Sequence, residues 1–180
     1  MAAILAFAGS NSSTSINYKL VKYTTSLIDR QEVQLINMHY LPFPMYSEDH
    51  EREHGFTNSL VELRDDILKS DGLIISVNEH NSNPSAFFKN LIDWLSRLER
   101  KFLQDKKIML MATSKGKRGA IGSLEVVKNM LTRFGAEIVI TFSLPSFGDN
   151  FEESKGILDT GLALEHEKAL KLFLENLPQR

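Results

Sequence analysis

The sequence predicts an α/β fold, a five-stranded parallel sheet covered on both faces by helices, and three observations carry that expectation. Short unbroken apolar runs, such as Ala3 to Ala8 and Gly72 to Val77, read as strands buried on both faces. Between the runs, apolar residues recur every three or four positions, the period of an amphipathic helix. The alternation continues along the chain without an internal repeat or low-complexity linker, so parallel strands joined by right-handed crossovers are the expected topology.

Taken in order, Ala3 to Ala8 is the first strand and ends in Gly9-Ser10-Asn11. Ile16, Leu20, Tyr23 and Leu27 mark the first helix, and Val33 to Ile36 the second strand. Asn37 to Phe56 carries Pro42, Pro44, His39, His50, His54 and several acids without clear periodicity, and reads as a long surface excursion of the kind that often serves function. Ser59-Leu60-Val61-Glu62 has the spacing of a capping box, with Val61, Leu63, Ile67 and Leu68 as the apolar side of the helix it opens. Gly72 to Val77 is the third strand. Residues 78–85 break the pattern before Phe87, Phe88, Leu91, Ile92, Leu95 and Leu98 outline a long amphipathic helix. Ile108 to Ala112 is the fourth strand, followed by a Lys/Gly loop at 114–119 and a helix through Val126, Val127, Met130, Leu131 and Phe134. Glu137 to Phe142 is the fifth strand and Leu162 to Leu174 the last helix.

Length and composition narrow the function classes. The 180 residues suit one domain spanning 1–180. Hydrophobic residues at 42% indicate a packed core rather than disorder. With a net charge of −2 and scattered Lys and Arg, no nucleic-acid footprint is expected. The chain has no cysteine, which removes disulfides, thiolate metal sites, iron–sulfur clusters and a Cys nucleophile, so any redox chemistry needs a bound organic cofactor. Met1 to Ala8 lacks a basic leader and is too short to span a bilayer, so a cytoplasmic setting without a membrane partner is expected. The five histidines, His39, His50, His54, His80 and His166, lack compact ligand spacing, and solvated loop positions rather than a metal site are expected for them.

In open parallel sheets, ligands bind beyond the C-terminal strand ends at the switch in strand order, which directs attention to the loops after strands one, three and four. The first, Gly9-Ser10-Asn11-Ser12-Ser13-Thr14-Ser15-Ile16-Asn17, offers hydroxyls, carboxamides and the free amides of a helix start, a neutral but donor-rich anion site. It lacks both the Gly-Lys-Ser/Thr ending of a Walker loop and the G-x-G-x-x-G dinucleotide fingerprint. The simpler alternative is that its Ser and Thr residues only cap the first helix.

The second loop, Asn78-Glu79-His80-Asn81-Ser82-Asn83-Pro84-Ser85, runs into Phe88-Lys89-Asn90-Leu91-Ile92-Asp93-Trp94. Here the chain resembles the NADPH-dependent FMN reductase family, whose members typically read Pro-Glu-Tyr-Asn, several loop residues with a Pro, then Leu-Lys-Asn, two residues, and Asp-Trp. Glu79 and Asn81 occupy the positions of the family's Glu and Asn, while Asn78 and His80 replace its Pro and Tyr, and Pro84 sits one place early. The first loop resembles the family's Gly-Ser-x-Arg-x-x-Ser-x-Asn through Gly9, Ser10, Ser15 and Asn17, with Ser12 in the place of Arg. The third, Ala112-Thr113-Ser114-Lys115-Gly116-Lys117-Arg118-Gly119, resembles the glycine-containing segment that wraps the ring edge. The resemblance spans about residues 3–142.

The resemblance implies a flavodoxin-like three-layer sandwich with strand order 2-1-3-4-5, binding FMN and using NADPH or NADH to reduce a small-molecule electron acceptor such as a flavin or quinone. The cofactor residues it implies are Ser10, Ser12, Ser15, Ile16 and Asn17 at the phosphate, and Asn78, Glu79, His80, Asn81, Ser114, Lys115, Gly116 and Gly119 around the ring. No catalytic side chain is implied, because the chemistry belongs to the flavin. Lys115, Lys117 or Arg118 either offsets the missing Arg or attracts the nucleotide's phosphates. Lys89, Asn90, Asp93 and Trp94 are expected to form an ion pair and a subunit contact in a homodimer or homotetramer. Met45 and Tyr46 either border the pocket or a partner subunit or pack in the core or on the surface. The alternatives are an electron carrier or FMN-binding regulator, and a relative that has lost flavin.

Overall fold

The structure, a computed structural model, describes residues 2–178. Its elements run β1 (Ala3–Ala8), α1 (Ile16–Ser26), β2 (Glu32–Ile36), a 3-10 turn (Met38–Tyr40), α2 (Glu48–His54), α3 (Asn58–Lys69), β3 (Gly72–Val77), β4 (Glu79–His80), β5 (Asn83–Pro84) and α4 (Ala86–Leu98). They continue through β6 (Lys107–Thr113), α5 (Ile121–Thr132), β7 (Glu137–Leu144), α6 (Phe147–Asn150), β8 (Phe151–Glu152), β9 (Gly156–Ile157) and α7 (Thr160–Glu175). The main sheet has the order β2-β1-β3-β6-β7 with every neighbour parallel. This is the expected 2-1-3-4-5 order, with β6 and β7 as the fourth and fifth main strands because the short strands β4 and β5 intervene in the chain.

Alternation along each strand divides the core in two. Leu5 and Phe7, Leu73, Ile75 and Val77, and Ile108 and Leu110 meet α3, α4 and α5 on one face. Ile4 and Ala6, Ile74, and Met109 and Met111 meet α1 and α7 on the other. Central strands apolar on both faces appear as continuous apolar runs, which is why they were legible.

Several boundaries differ from expectation. Helix α3 starts at Asn58, with Thr57 at the cap position and no side-chain cap bond, so the capping box at Ser59 does not form. Its buried face is Leu60, Leu63 and Ile67, and Leu68 points outward at 43% exposure. The long excursion contains a helix, α2, opened by Ser47, whose hydroxyl accepts from His50 N. Acids Glu48, Asp49 and Glu51 lie in its first turn and Arg52 and His54 in its last, the charge order that suits the helix dipole. It buries no residue of its own, so apolar periodicity could not reveal it.

The excursion is fastened to α4. Asn90 Oδ1 accepts from Tyr46 N at 2.8 Å, and both Asn90 Nδ2 and Trp94 Nε1 donate to Pro44 O, at 2.9 and 2.8 Å. Arg97 pairs with Glu51 and holds its carboxyl below the usual carboxylate range. Lys89 and Asp93 form the expected ion pair at 2.6 Å. Trp94 is 1% exposed and packed edge-on to Tyr46, His50 and Phe56 of its own chain, so its ring is buried within the fold.

Candidate cofactor site

Three loops leave the C-terminal ends of β1, β3 and β6 side by side. Gly9 N donates to Ser76 O, tying the first loop to β3. A side chain at Gly9 would strike the ring of Phe88, so glycine lets β1 and α4 close together. Ser85 caps α4 by accepting from Phe88 N at 3.2 Å and donates its own hydroxyl proton to Gly9 O at 3.2 Å.

In the first loop, Ser15 caps α1 by accepting from Tyr18 N at 3.1 Å. Ser10 Oγ accepts from Ser12 N, and Ser12 Oγ accepts from Thr14 N, both at 3.3 Å, so these hydroxyls shape the turn. Ser10 and Ser15 are buried, Ser12 is exposed and Ile16 is half-buried. Among the described residues, no protein acceptor is found for the amides of Ser13, Ile16 and Asn17. Several backbone donors at the start of an 11-residue helix are therefore left to an anion, and the donor set fits a phosphate.

Asn17 is placed differently from the rest of its group. Its carboxamide, 2% exposed, accepts from Thr113 N at 3.0 Å and from Ser76 Oγ at 2.7 Å, and donates to Thr113 O at 3.1 Å. All of these partners belong to the protein, so the side chain laces α1 to the ends of β3 and β6, and what it offers an anion is its backbone N–H.

After β3, the loop is the small antiparallel hairpin β4–β5, with Asn81 and Ser82 both in the left-handed region at φ 53° and 61°, the geometry of a tight two-residue turn. Glu79 Oε2 accepts from Ser123 N at 2.9 Å, and Ser123 Oγ donates to Asn78 O at 2.9 Å. Asn78 Oδ1 is buried without a hydrogen-bond partner among the described residues. His80 and Asn81 are exposed. An orphaned acceptor at the base of this loop is the sort of group that a ligand completes.

After β6, Gly116 O accepts from Gly119 N and Ser146 N, and Ser114 O from Phe147 N. Gly119 lies at φ 57°, and a side chain there would run into Ser143, whose hydroxyl donates to Gly119 O at 2.8 Å. The tip, Lys115 to Arg118, is exposed, and none of its three cations enters an ion pair found among the described residues.

The structure thus brings the three predicted loops to one end of the sheet. The supporting residues Ser76, Thr113, Ser85, Ser123 and the 145–150 segment were not anticipated. Only Ser85, a capping residue three positions before Phe88, carried a local signal. Of the histidines, His39, His54 and His80 are exposed as expected, and His50 is half-buried. His39 touches the first loop, its Nδ1 lying 2.9 Å from Asn11 O. His50 and His54 stand on α2 with rings 4.6 Å apart. His166 is not solvated at all: it is 1% exposed on α7, its Nε2 lies 2.8 Å from Thr24 Oγ1, and burial lowers its pKa to about 4. No group of three His, Cys, Asp or Glu able to hold a metal occurs among the described residues. No helix among them is long and apolar enough to cross a membrane.

A quinone reductase from Escherichia coli K12 is 36% identical over 73 residues, 41% of this chain and 39% of its own length, so the match spans well under half of that relative. An NAD(P)H-dependent FMN reductase from Pseudomonas aeruginosa is 26% identical over 117 residues, 64% of this chain and 62% of the relative. Among solved structures, an NADH:FMN oxidoreductase superposes with a TM-score of 0.80 at 19% identity, covering 100% of this chain and 92% of the other. A flavoenzyme NAD(P)H:(acceptor) oxidoreductase from Paracoccus denitrificans gives 0.78 at 23% identity, covering 97% and 96%. At these identities the superpositions establish the flavodoxin-like fold. The family model for NADPH-dependent FMN reductase matches residues 2–147, a span that holds all three loops, and the chain belongs to that family.

Proposed function

We propose that the chain binds FMN across the C-terminal ends of β1, β3 and β6 and uses NADPH or NADH to reduce a flavin, quinone or similar small acceptor. One observation carries this reading: a helix start with unclaimed amides is pinned by Asn17 to the two strands whose following loops frame the same opening. FMN supplies a centre that takes hydride from a nicotinamide and passes it on.

The protein's part is binding and orientation. Ser10, Ser12 and Ser15, with the amides of Ser13, Ile16 and Asn17, hold the phosphate. Residues 9–17 contain no cation, so the hold rests on neutral donors and the positive end of α1. The backbone of Asn78, Glu79, His80 and Asn81, and of Ser114, Lys115, Gly116 and Gly119, lines the ring and stabilises negative charge on it. Lys115, Lys117 and Arg118 attract the phosphates of the nicotinamide nucleotide. No side-chain acid, base or nucleophile is assigned. A cytoplasmic setting and assembly as a homodimer or homotetramer go with this reading. Tyr40 and Met45, 76% and 69% exposed on the excursion beside the first loop, provide apolar surface for such a contact.

The test is an absorbance spectrum after incubation with FMN and desalting, followed by steady-state oxidation of NADPH and NADH with a quinone. Retained flavin bands and repeated turnover are expected. A protein that stays colourless overturns the reading, and a single stoichiometric oxidation identifies an electron carrier instead.

A further inference from the structure

Glu79 does something the phosphate and ring contacts do not explain. The cap position before α5 is Ala120, a left-handed residue at φ 63° that offers no side-chain cap. The missing cap comes from the hairpin β4–β5, where Glu79 Oε2 accepts from Ser123 N at 2.9 Å. A carboxylate at a helix N-terminus gains from the positive end of the helix dipole as well as from the hydrogen bond. Gly122 makes the approach possible, since a Cβ there would lie 2.8 Å from Glu79 Oε2 and 3.2 Å from Ser82 O. A second strap, Ser123 Oγ donating to Asn78 O, ties down the neighbouring residue. Between the straps, Asn78 keeps a buried oxygen unpartnered, an unfavourable arrangement that persists only if the segment is held firmly.

We propose that Glu79 is a positioning residue: its carboxylate latches the hairpin after β3 to the start of α5 and thereby sets the spacing between the two loops that frame the flavin ring. The inference rests on the proposed FMN site, but the latch itself is a property of the protein without cofactor. The tight Asn81-Ser82 turn stiffens the hairpin, so its freedom lies in swinging as a unit about residues 78 and 85. Of those, Ser85 is pinned to Gly9 and residue 78 to α5. Releasing Glu79 removes one of the two straps between the hairpin and α5, leaving only Ser123 Oγ on Asn78 O, while the sheet is untouched.

Three variants test this. Glu79→Ala removes the acceptor, Glu79→Gln keeps an acceptor without the charge, and Gly122→Ala pushes the carboxylate away. In the apoprotein, exchange of the Ser123 amide with deuterium should accelerate in Glu79→Ala and Gly122→Ala and stay slow in Glu79→Gln, with far-UV circular dichroism unchanged. FMN affinity from fluorescence quenching should weaken by about tenfold or more in the first two and stay within about threefold of the parent in Glu79→Gln. The double variant Glu79→Ala with Gly122→Ala should bind no more weakly than either single one, because both remove one interaction. Unchanged exchange of the Ser123 amide in Glu79→Ala overturns the latch. Accelerated exchange with unchanged FMN affinity overturns its role at the cofactor and leaves the proposed function standing. A parent protein that binds no FMN overturns the proposed function and the cofactor role together, and the exchange data still decide the latch.

Discussion

The two ends of the parallel sheet differ in what they bury. At the C-terminal ends of the strands, the buried polar residues Ser10, Ser15, Asn17, Ser76, Ser85, Thr113 and Ser123 gather among the three loops. At the opposite end, a groove of about 990 Å³ opens between α1 and α7, bounded by Ala2, Leu27, Leu170, Leu174 and Leu177 with charged residues at its mouth. A binding site needs polar groups that converge and are held in place, and burying such groups is costly unless each is hydrogen-bonded. The loop end carries that cost and, among the described residues, satisfies all but one of its buried side-chain polar atoms, whereas the described lining of the groove includes one buried polar side chain, His166. Clustered polar burial, rather than cavity volume, marks the loop end as the candidate site.

The largest expected effect that sharpens this contrast comes from Asn17. Asn17→Ala strands Thr113 N, Thr113 O and the Ser76 hydroxyl in the interior. At about 1–3 kcal/mol for each buried group left unmade, the loss of stability should reach about 4 kcal/mol, read from urea denaturation, with FMN retention lost as well. A loss below about 1 kcal/mol would mean that water fills the network and the loops are not held by it.

His166 provides the next test, on the α1–α7 side. Its folded pKa of about 4 lies below the ordinary value of 6.5, so the folded state binds fewer protons than the unfolded chain between those two values. The stability associated with a neutral His166 is therefore complete above pH 6.5, falls as the pH drops from 6.5 to 4, and is gone below that window. Its full amplitude is about 3 kcal/mol, since each pH unit separating the folded and unfolded values corresponds to about 1.4 kcal/mol. Carboxylates also titrate near the acid end, so the diagnostic is a difference: His166→Leu should be flatter than the parent between pH 6.5 and 4. Parallel curves would show that the histidine reaches water more easily than its packing between Thr24, Tyr23 and Phe142 implies.

This contrast also explains how much could be read from the sequence. The central strands were legible because residues buried on both faces leave an unmistakable apolar run. The helix cap in the first loop was legible because small hydroxyl residues cluster at a helix start, and the same residues suit a phosphate on the proposed reading. The latch was not, since Glu79 and Ser123 are 44 positions apart and meet only because β3 and β6 are adjacent. Asn17 was found for its place in a motif, yet its side-chain role depends on Thr113, 96 positions away. Helix α2 escaped because it buries nothing of its own, and the β8–β9 hairpin because two-residue strands are too short to show a period. His166 escaped because a lone histidine flanked by Glu165, Glu167 and Lys168 reads as part of the charged face of its helix.

The smallest effect in this series separates the two jobs of a single hydroxyl. Ser15 caps α1 through Tyr18 N and, on the proposed reading, also faces the phosphate. Ser15→Ala removes both functions, whereas Ser15→Gly removes the hydroxyl but is tolerated at a cap with a loss of only a few tenths of a kcal/mol. Stability should therefore fall by about 1 kcal/mol in Ser15→Ala and much less in Ser15→Gly. FMN affinity should fall in both, by about tenfold, because each lacks the donor. If affinity instead tracks stability, with Ser15→Gly binding as well as the parent, the hydroxyl serves the helix alone and the phosphate is held by backbone amides.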